Sequence, residues 1–584
     1  MSQRGRPPTQ TVRRLHLELA SESKPRAART CVPACTMEIG HAAEPVRRDR
    51  ISMLDDAALG HVLSFLPSKQ AARAAALSSR WRDAFAGVHT LSLEEPSSVT
   101  TYDENGWPTE VDPPEPFRAA VTAAIVARHR KPGATPPLRA LRVALQDYTY
   151  IDSVAVDQWV SYALKRAGPE LELDLRFRSL PIYCRRDGAD TSEEEDDSDD
   201  DDDEEDECDD NNKDDSDDDD EDDGVSSEDN RVPRPSLHRY TVPRGLFSCS
   251  TLRTLRIGPC RLSPPPALSL PSLQELLLTR ISNADELVQR LISGCPRLVD
   301  LTLESCNAVT ALSLLDTRLR RLALRCCHNL SHVVVDVSEL GAFEYRGAVP
   351  EMPLLTTLGA TCWFPTMPSL ASCTVYICGG EVTTSEELAS LTAFLQHFAS
   401  AKHLRLRSKH MYPDIGTRLP MFWHLHHLEL WGHLLHDGAA AATIGVTSRI
   451  LRHAPNLEVL SLFFETGTWA DIDDDGPVTT GRDNCKAMEL LNAHRLKYNR
   501  HNVLDWPSGG ATIPCLANRL REINLVHYQG GRAQRTLAKF LLCNAAVIGE
   551  LWCQFAEGPL WMQTELMREM KSWVVNEKAN MIFR

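Results

Sequence analysis

Few stretches of this chain carry side chains at spacings that could do chemistry. Asp471-Ile-Asp-Asp-Asp475-Gly476 imitates the start of a calcium loop, but Arg482 stands where the bidentate glutamate of position 12 is required, and no helical pattern flanks it. His424, His426, His427, His433 and His436 crowd around one strand-like run and raise the question of zinc. Alternation puts His424 and His426 with Leu428 and Leu430, while His427 points the other way, so a packed or solvated strand is the reading taken. Cys31-x3-Cys35 has no second pair to complete a zinc site. There is no GxxxxGK[ST] phosphate loop, no GxSxG elbow and no HExxH. Asn329-Leu330-Ser331 is a glycosylation sequon in form only. No catalytic residue, no metal ligand and no cofactor is therefore assigned. The expected chemistry is that of binding another protein.

The elements that would do this begin between Arg50 and Phe85. Leu59, Val62, Leu63 and Leu66 follow the i, i+3, i+4, i+7 rule, one stripe of a short helix, and Pro67 stops it. Ser68 and Ser78 offer N-caps for two further helices, the second just before Arg80-Trp81-Arg82. About 40 residues cannot build a self-sufficient core, so helices this apolar require cover from a partner.

The same residues carry a resemblance. Arg50-Ile51-Ser52, Leu54, Leu63-Ser64-Phe65-Leu66-Pro67, Ala72-Arg73, Leu77-Ser78 and Arg80-Trp81-Arg82 form a gapless run that resembles the F-box of plant F-box/leucine-rich-repeat proteins. The family's Leu-Pro dipeptide reads Leu54-Asp55 here, and Ala57 stands where an acidic residue is usual. Asp55 suits a first helical turn, where the helix dipole favours negative charge. The resemblance implies that Leu54, Leu59, Val62, Leu63, Leu66, Pro67, Leu77, Arg80 and Trp81 bind a Skp-family adaptor, itself joined to a cullin.

Downstream, a repeat dominates. Leu252-x-x-Leu255-x-Ile257-x-x-Cys260-x-Leu262 fits the leucine-rich pattern, and the units opening at Leu273, Leu298 and Leu319 follow at 21, 25 and 21 residues. Leu340-x-x-Phe343-x-Tyr345 continues it. Weaker units lie at Leu370, Leu404, Leu425 and Leu457, and the last expected one is Leu520-x-x-Ile523-x-Leu525. Leu138-x-x-Leu141-x-Val143 and Leu173-x-Leu175 read as degenerate members upstream. One such unit cannot bury its own apolar face, whereas stacked copies share a continuous core. Cys306 and Cys327 fill the small site after the strand. Return segments at Val156–Leu164, at Asn283-Ala-Asp-Glu286 (a capping box) and from Thr384 to Glu387 read as helical. In each L-x-L the middle side chain points outward, which puts Arg256, Leu277, Thr302, Ala323, Arg405, Glu429, Ser461 and Asn524 in one row. Arg321, Arg325, Arg407 and Trp431, with His403 and His427, flank it. Arg256, Arg321, Arg325, Arg407 and Trp431 are the expected target-binding residues. The stretch from Arg519, a strand, the Gly530-Gly531 turn and a helix with Leu537, Phe540, Leu541 and Val547 inward, is similar to the FBD region that ends many proteins of the family.

Composition sets the limits. The net charge is −18, but 26 acidic residues against one lysine between Asp190 and Asp223 supply −25 of it, leaving +7 elsewhere. Global charge thus gives no argument for nucleic acid, and no apolar run is long enough for a membrane span. The 17 cysteines are odd in number and lack paired spacing, which together with the missing signal segment suggests reduced thiols in nucleus or cytoplasm. Ser192, Ser198 and Ser216 each precede an acidic residue by three positions, a pattern that suits an acidophilic kinase.

The expected architecture is α/β: a disordered leader (1–48), a helical F-box (49–89), first leucine-rich repeats (90–183), an acidic disordered insertion (184–235), an irregular solenoid of further repeats (236–513) with a polar excursion near 470–514, and a last repeat with an FBD-like region (514–584). The function this implies is that of a non-enzymatic target receptor in a Skp-cullin-F-box ubiquitin ligase, with an unknown protein as target. The rival is a repeat scaffold without ligase role whose acidic run binds basic proteins.

Overall fold

Asp55 starts the first helix, α1 (Asp56–Leu63), its carboxylate accepting from the Ala58 amide at 2.7 Å. It thus acts as the cap itself and not as a first-turn residue. The computed structural model describes residues 51–95, 117–129, 135–177, 239–464 and 513–584, with short interruptions, and the pairs 101–102 and 108–109. The leader, the acidic run, the calcium-like loop, His436 and the excursion near 470–512 lie outside the described residues.

Helix α2 spans Ser68–Ala76 and α3 spans Ser79–Ala84. Ser78 caps α3 as expected, accepting from the Trp81 amide at 3.2 Å. Ser68 does not cap α2. It is the first helical residue, and its hydroxyl accepts from the Ser92 amide at 2.8 Å, while the Ser64 hydroxyl accepts from the His89 amide at 3.1 Å. Two serines therefore stitch the helices to the first strand. Gly60 allows α1 to touch the turn after α3, since a Cβ there would lie 2.8 Å from the Gly87 carbonyl carbon.

Fifteen strands among the described residues form one sheet, every neighbouring pair parallel and in chain order. They are β1 (Thr90–Glu94), β2 (Leu138–Ala144), β3 (Ala167–Arg176), β4 (Leu252–Gly258) and β5 (Glu275–Thr279). Next come β6 (Asp300–Glu304), β7 (Arg321–Arg325), β8 (Ala342–Gly347), β9 (Ser372–Ile377) and β10 (His403–His410). The series closes with β11 (His427–His433), β12 (Val459–Phe464), β13 (Glu522–Tyr528), β14 (Glu550–Phe555) and β15 (Asn580–Phe583). The leucine register is continuous: Leu255, Leu276, Leu301, Leu322 and Phe343 are successive partners, all buried in the one core that also takes Leu59 and Leu63.

The remaining helices are α4 (Phe117–Ala127), α5 (Asp152–Lys165), α6 (Asp285–Ser293), α7 (Ser385–Gln396), α8 (Ala440–Arg452), α9 (Pro514–Asn518), α10 (Arg532–Asn544) and α11 (Leu560–Trp573). Where successive strands start 21 residues apart the return is not helical: Ala311–Leu314 and His332–Asp336 pair in parallel there, and Leu355–Leu358, from the longer unit that follows, completes a small sheet of their own. So short a unit has no room for a multi-turn helix.

Three expectations are corrected here. Asn283 forms no capping box with Glu286; its amide bonds the Leu262 backbone at both ends, at 2.5 and 3.0 Å. The capping box at Thr384 and Glu387 is complete. The unit at Leu520 is not the last, because β14 and β15 extend the sheet with Cys553 and Met581 standing where leucine would signal a repeat. Val547 lies beyond the end of α10 and is exposed; Ala545 and Ile548 are buried in its stead, beside Leu537, Phe540 and Leu541.

Candidate functional site

Two surfaces stand out. The first is apolar and lies on α1 to α3. Leu54, Val62, Phe65, Leu66 and Leu77 are 37, 44, 74, 37 and 82% exposed. Pro67 is exposed beside them. Leu59 and Leu63, both 1% exposed, belong to the chain's own core and hold this surface from beneath. Arg80 donates to the Leu54 carbonyl and lies 3.5 Å from the Asp56 carboxylate, so it ties α3 to the start of α1. Trp81 is half-buried against the core.

The second is the outward strand face. On its earlier half the arginines are engaged by neighbouring acids. Arg256 bonds Glu275 at 2.8 and 2.6 Å, and Arg325 bonds Glu344 at 2.7 and 3.0 Å with Glu304 at 3.6 Å. The hydrogen bonds to Glu344 outweigh burial and raise the Arg325 pKa. Such pairs leave little net charge to offer a ligand. Arg321 is exposed at the edge of this row.

On the later half two columns run across the strands. Arg346, Tyr376, Arg407, Trp431 and Phe463 are successive register partners from β8 to β12. Arg346 lies 4.9 Å and Arg407 4.5 Å from the Tyr376 ring centre, Arg407 lies 5.6 Å from that of Trp431, and the Trp431 and Phe463 rings stack 3.8 Å apart at 6°. This is a continuous cation–π and aromatic ladder. The Trp431 indole nitrogen, shielded from solvent, has no acceptor among the described residues.

Beside the ladder, Glu429 is only 7% exposed. It accepts from Arg405 at 2.5 Å and meets His403 Nε2 at 3.0 Å and His427 Nε2 at 3.5 Å. His427 reaches the Ser461 hydroxyl at 3.3 Å, which Asn524 joins at 3.1 Å. Burial alone would push the Glu429 carboxyl up, but hydrogen bonds from His403 and Arg405 hold it down to about 2. Burial and then the neighbouring His403 lower the His427 pKa.

Residues 229–351 match the family model for the leucine-rich repeats of FBD-associated F-box protein At5g56370. The chain resembles plant F-box/leucine-rich-repeat proteins. F-box protein At3g59000 of Arabidopsis thaliana is 33% identical over 125 residues, 21% of this chain and 24% of the relative. F-box/LRR-repeat protein At4g14103 of the same plant is 33% identical over 132 residues, 23% of this chain and 31% of the relative. F-box/LRR-repeat protein At3g59200, also from Arabidopsis, is 29% identical over 136 residues, 23% of this chain and 24% of the relative. The matched parts thus span about a quarter to a third of these F-box/leucine-rich-repeat proteins.

Against that family background, the sequence-predicted residues divide. Leu54, Val62, Leu66, Pro67 and Leu77 are exposed, whereas Leu59 and Leu63 are core and Arg80 is an internal tie. Arg407 and Trp431 are brought together in the ladder, whereas Arg256 and Arg325 are neutralised elsewhere. Phe65, Tyr376 and Phe463 were missed. Tyr376 and Phe463 follow the last apolar residue of their repeats, as Arg407 and Trp431 do, so aligning the repeats would have found them.

Proposed function

We propose that this chain is the target-recognition subunit of a Skp-cullin-F-box ubiquitin ligase, with α1 to α3 as its F-box. The single observation that carries the reading is the exposure of Leu54, Val62, Phe65, Leu66 and Leu77 on and between short helices that already bury Leu59 and Leu63 in the core. Monomeric proteins rarely leave such a patch uncovered, and a Skp-family adaptor is the partner that the family resemblance supplies. The cullin joins through that adaptor. The outward strand face then captures the target protein, with the Tyr376–Arg407–Trp431–Phe463 ladder as its anchor, because interfaces draw most of their affinity from a few aromatic and arginine side chains. The chain contributes proximity and orientation, and ubiquitin transfer belongs to other subunits.

Pull-down with a recombinant Skp-family adaptor tests the first half. Phe65→Ala with Leu77→Ala removes two of the most exposed apolar side chains without touching the core, and is expected to weaken adaptor binding at least about 30-fold, the effect of losing roughly 2 kcal/mol. Undiminished recovery by a variant with unchanged melting sinks the ligase reading. Trp431→Ala with Phe463→Ala is expected to lose target proteins in affinity purification while adaptor recovery persists.

A further inference from the structure

His403 and His427 occupy equivalent positions in adjacent repeats, since each precedes the L-x-L of its strand and the two are register partners. Glu429 lies two residues beyond His427, on the same face. One ligand atom from each, among His403, His427 and Glu429, lies within 4.8 Å of the other two. We propose that these three residues bind one divalent transition-metal ion of the zinc class.

The argument is first geometric. Zinc bonds imidazole nitrogen and carboxylate oxygen at about 2.0–2.1 Å with tetrahedral angles, so two of its ligand atoms should stand about 3.3 Å apart. His403 Nε2 and His427 Nε2 stand 3.0 and 3.5 Å from the same Glu429 oxygen. The donor set is mixed nitrogen and oxygen, which suits zinc and its neighbours; calcium and magnesium require six or more oxygens, or nearly so. Hydrogen bonding around the ligands also fits. Arg405 donates to the other Glu429 oxygen, Oε2, and leaves Oε1 facing the histidines. Ser461 and Asn524 continue the polar shell beyond His427. Metal-binding carboxylates and imidazoles characteristically have such outer partners.

Charge balance is favourable, with Glu429 in the site and Glu522 two strands beyond His427 in the histidines' own row, against the guanidinium of Arg405. The two imidazoles now lie nearly parallel, 11° apart with centres 4.3 Å apart. Each must turn toward the ion about χ2, a broad, soft torsion for histidine. Three protein ligands leave a fourth position for water or a donor from outside. The inference does not depend on the ligase reading, because the ligands come from strand register alone.

The test uses the full chain, free of any histidine tag, with thiols reduced and metal removed by chelation. Titration with Co2+ is expected to give visible d–d bands saturating at one equivalent, without thiolate charge transfer, and Zn2+ should bleach them. His403→Ala with His427→Ala should abolish the signal while the metal-free variant keeps the circular-dichroism spectrum of wild type, its melting temperature falling only modestly through the lost His403–Glu429 hydrogen bond. His424→Ala with His426→Ala, exposed histidines outside the cluster, should bind like wild type. Absence of the bands in the wild type, their persistence in the His403/His427 variant, or strong thiolate charge transfer would each overturn the proposal.

Discussion

Glu429 is the residue on which the outward face turns. Its folded pKa of about 2 lies below the ordinary carboxylate value, so its ionised form contributes stability that is fully present above about pH 5. That contribution is lost as pH falls toward 2, because the unfolded chain takes up the proton first. Discounted for the partly exposed Arg405 and His403, it amounts to about 2 kcal/mol. Glu429→Gln is therefore expected to lower the melting temperature at pH 7 and to narrow the gap to wild type as the pH approaches 3. A constant difference across that range, read by thermal denaturation, would remove Glu429 as the titrating group. The same side chain shows why an outward-facing residue need not be a free one. Its neighbours are an arginine directly opposite it on the adjacent strand and a histidine diagonal to it, and together they remove it from solvent.

Elements carry their own constraints. α1 can approach the turn after α3 because Gly60 has no side chain; a methyl group would sit 2.8 Å from the Gly87 backbone and 2.9 Å from the Ala84 carbonyl oxygen. Gly60→Ala, which on helix propensity alone would stabilise, is expected to cost about 1–3 kcal/mol through overpacking. A rise in urea midpoint would refute the close approach. At the other end, α10 and α11 are joined by Arg535, 1% exposed, which bonds Glu569 at 2.9 and 2.6 Å. Removing one partner leaves a buried charge, so Arg535→Ala should cost about 3–5 kcal/mol, while Arg535→Met with Glu569→Leu should fall closer to wild type. Equal destabilisation by the single and double variants, measured by chemical denaturation, would show that packing and not charge is at stake. Gly530 belongs to the same junction: its φ of +79° and the 2.5 Å that a Cβ would leave to Leu566 both require glycine.

At the scale of the molecule, β3 and β4 are direct neighbours, Leu173 opposite Leu255, although the acidic run separates them in the chain. The pairing is made by backbone register between the two strands. Deleting Asp187–Asn230 is expected to shift the melting temperature by no more than a few degrees, since closure entropy varies only slowly with connection length. A large fall would show that the run packs against the repeats or holds a partner. The exposed apolar side chains around α1 to α3, proposed to dock an adaptor, and the ladder on β8 to β12 belong to different elements of one stacked array, which is why variants of the two should separate adaptor recovery from target recovery.

Period and alternation are properties of a single strand of residues, and they sufficed for much of this molecule. The spacing of Leu252, Leu273, Leu298 and Leu319 dictated a parallel stack, and alternation within each L-x-L dictated which face is core. Local caps such as Ser78 and Thr384 were equally legible, because cap and recipient lie three residues apart. Only the tertiary structure decided what depends on neighbours from other repeats. It separated Leu59 and Leu63 from Val62 and Leu66 along one stripe, because α3 and the turn after it cover one side of α1. It sent the Ser68 hydroxyl to Ser92 instead of to its own helix, and it neutralised Arg256 and Arg325 while leaving Arg407 against Tyr376 and Trp431. The C-terminal strands escaped notice because Cys553 and Met581 fill leucine positions, and burial by adjacent strands accepts any apolar side chain of suitable volume. Register between strands sets such contacts, and no one-dimensional pattern encodes the register of a repeat whose length varies.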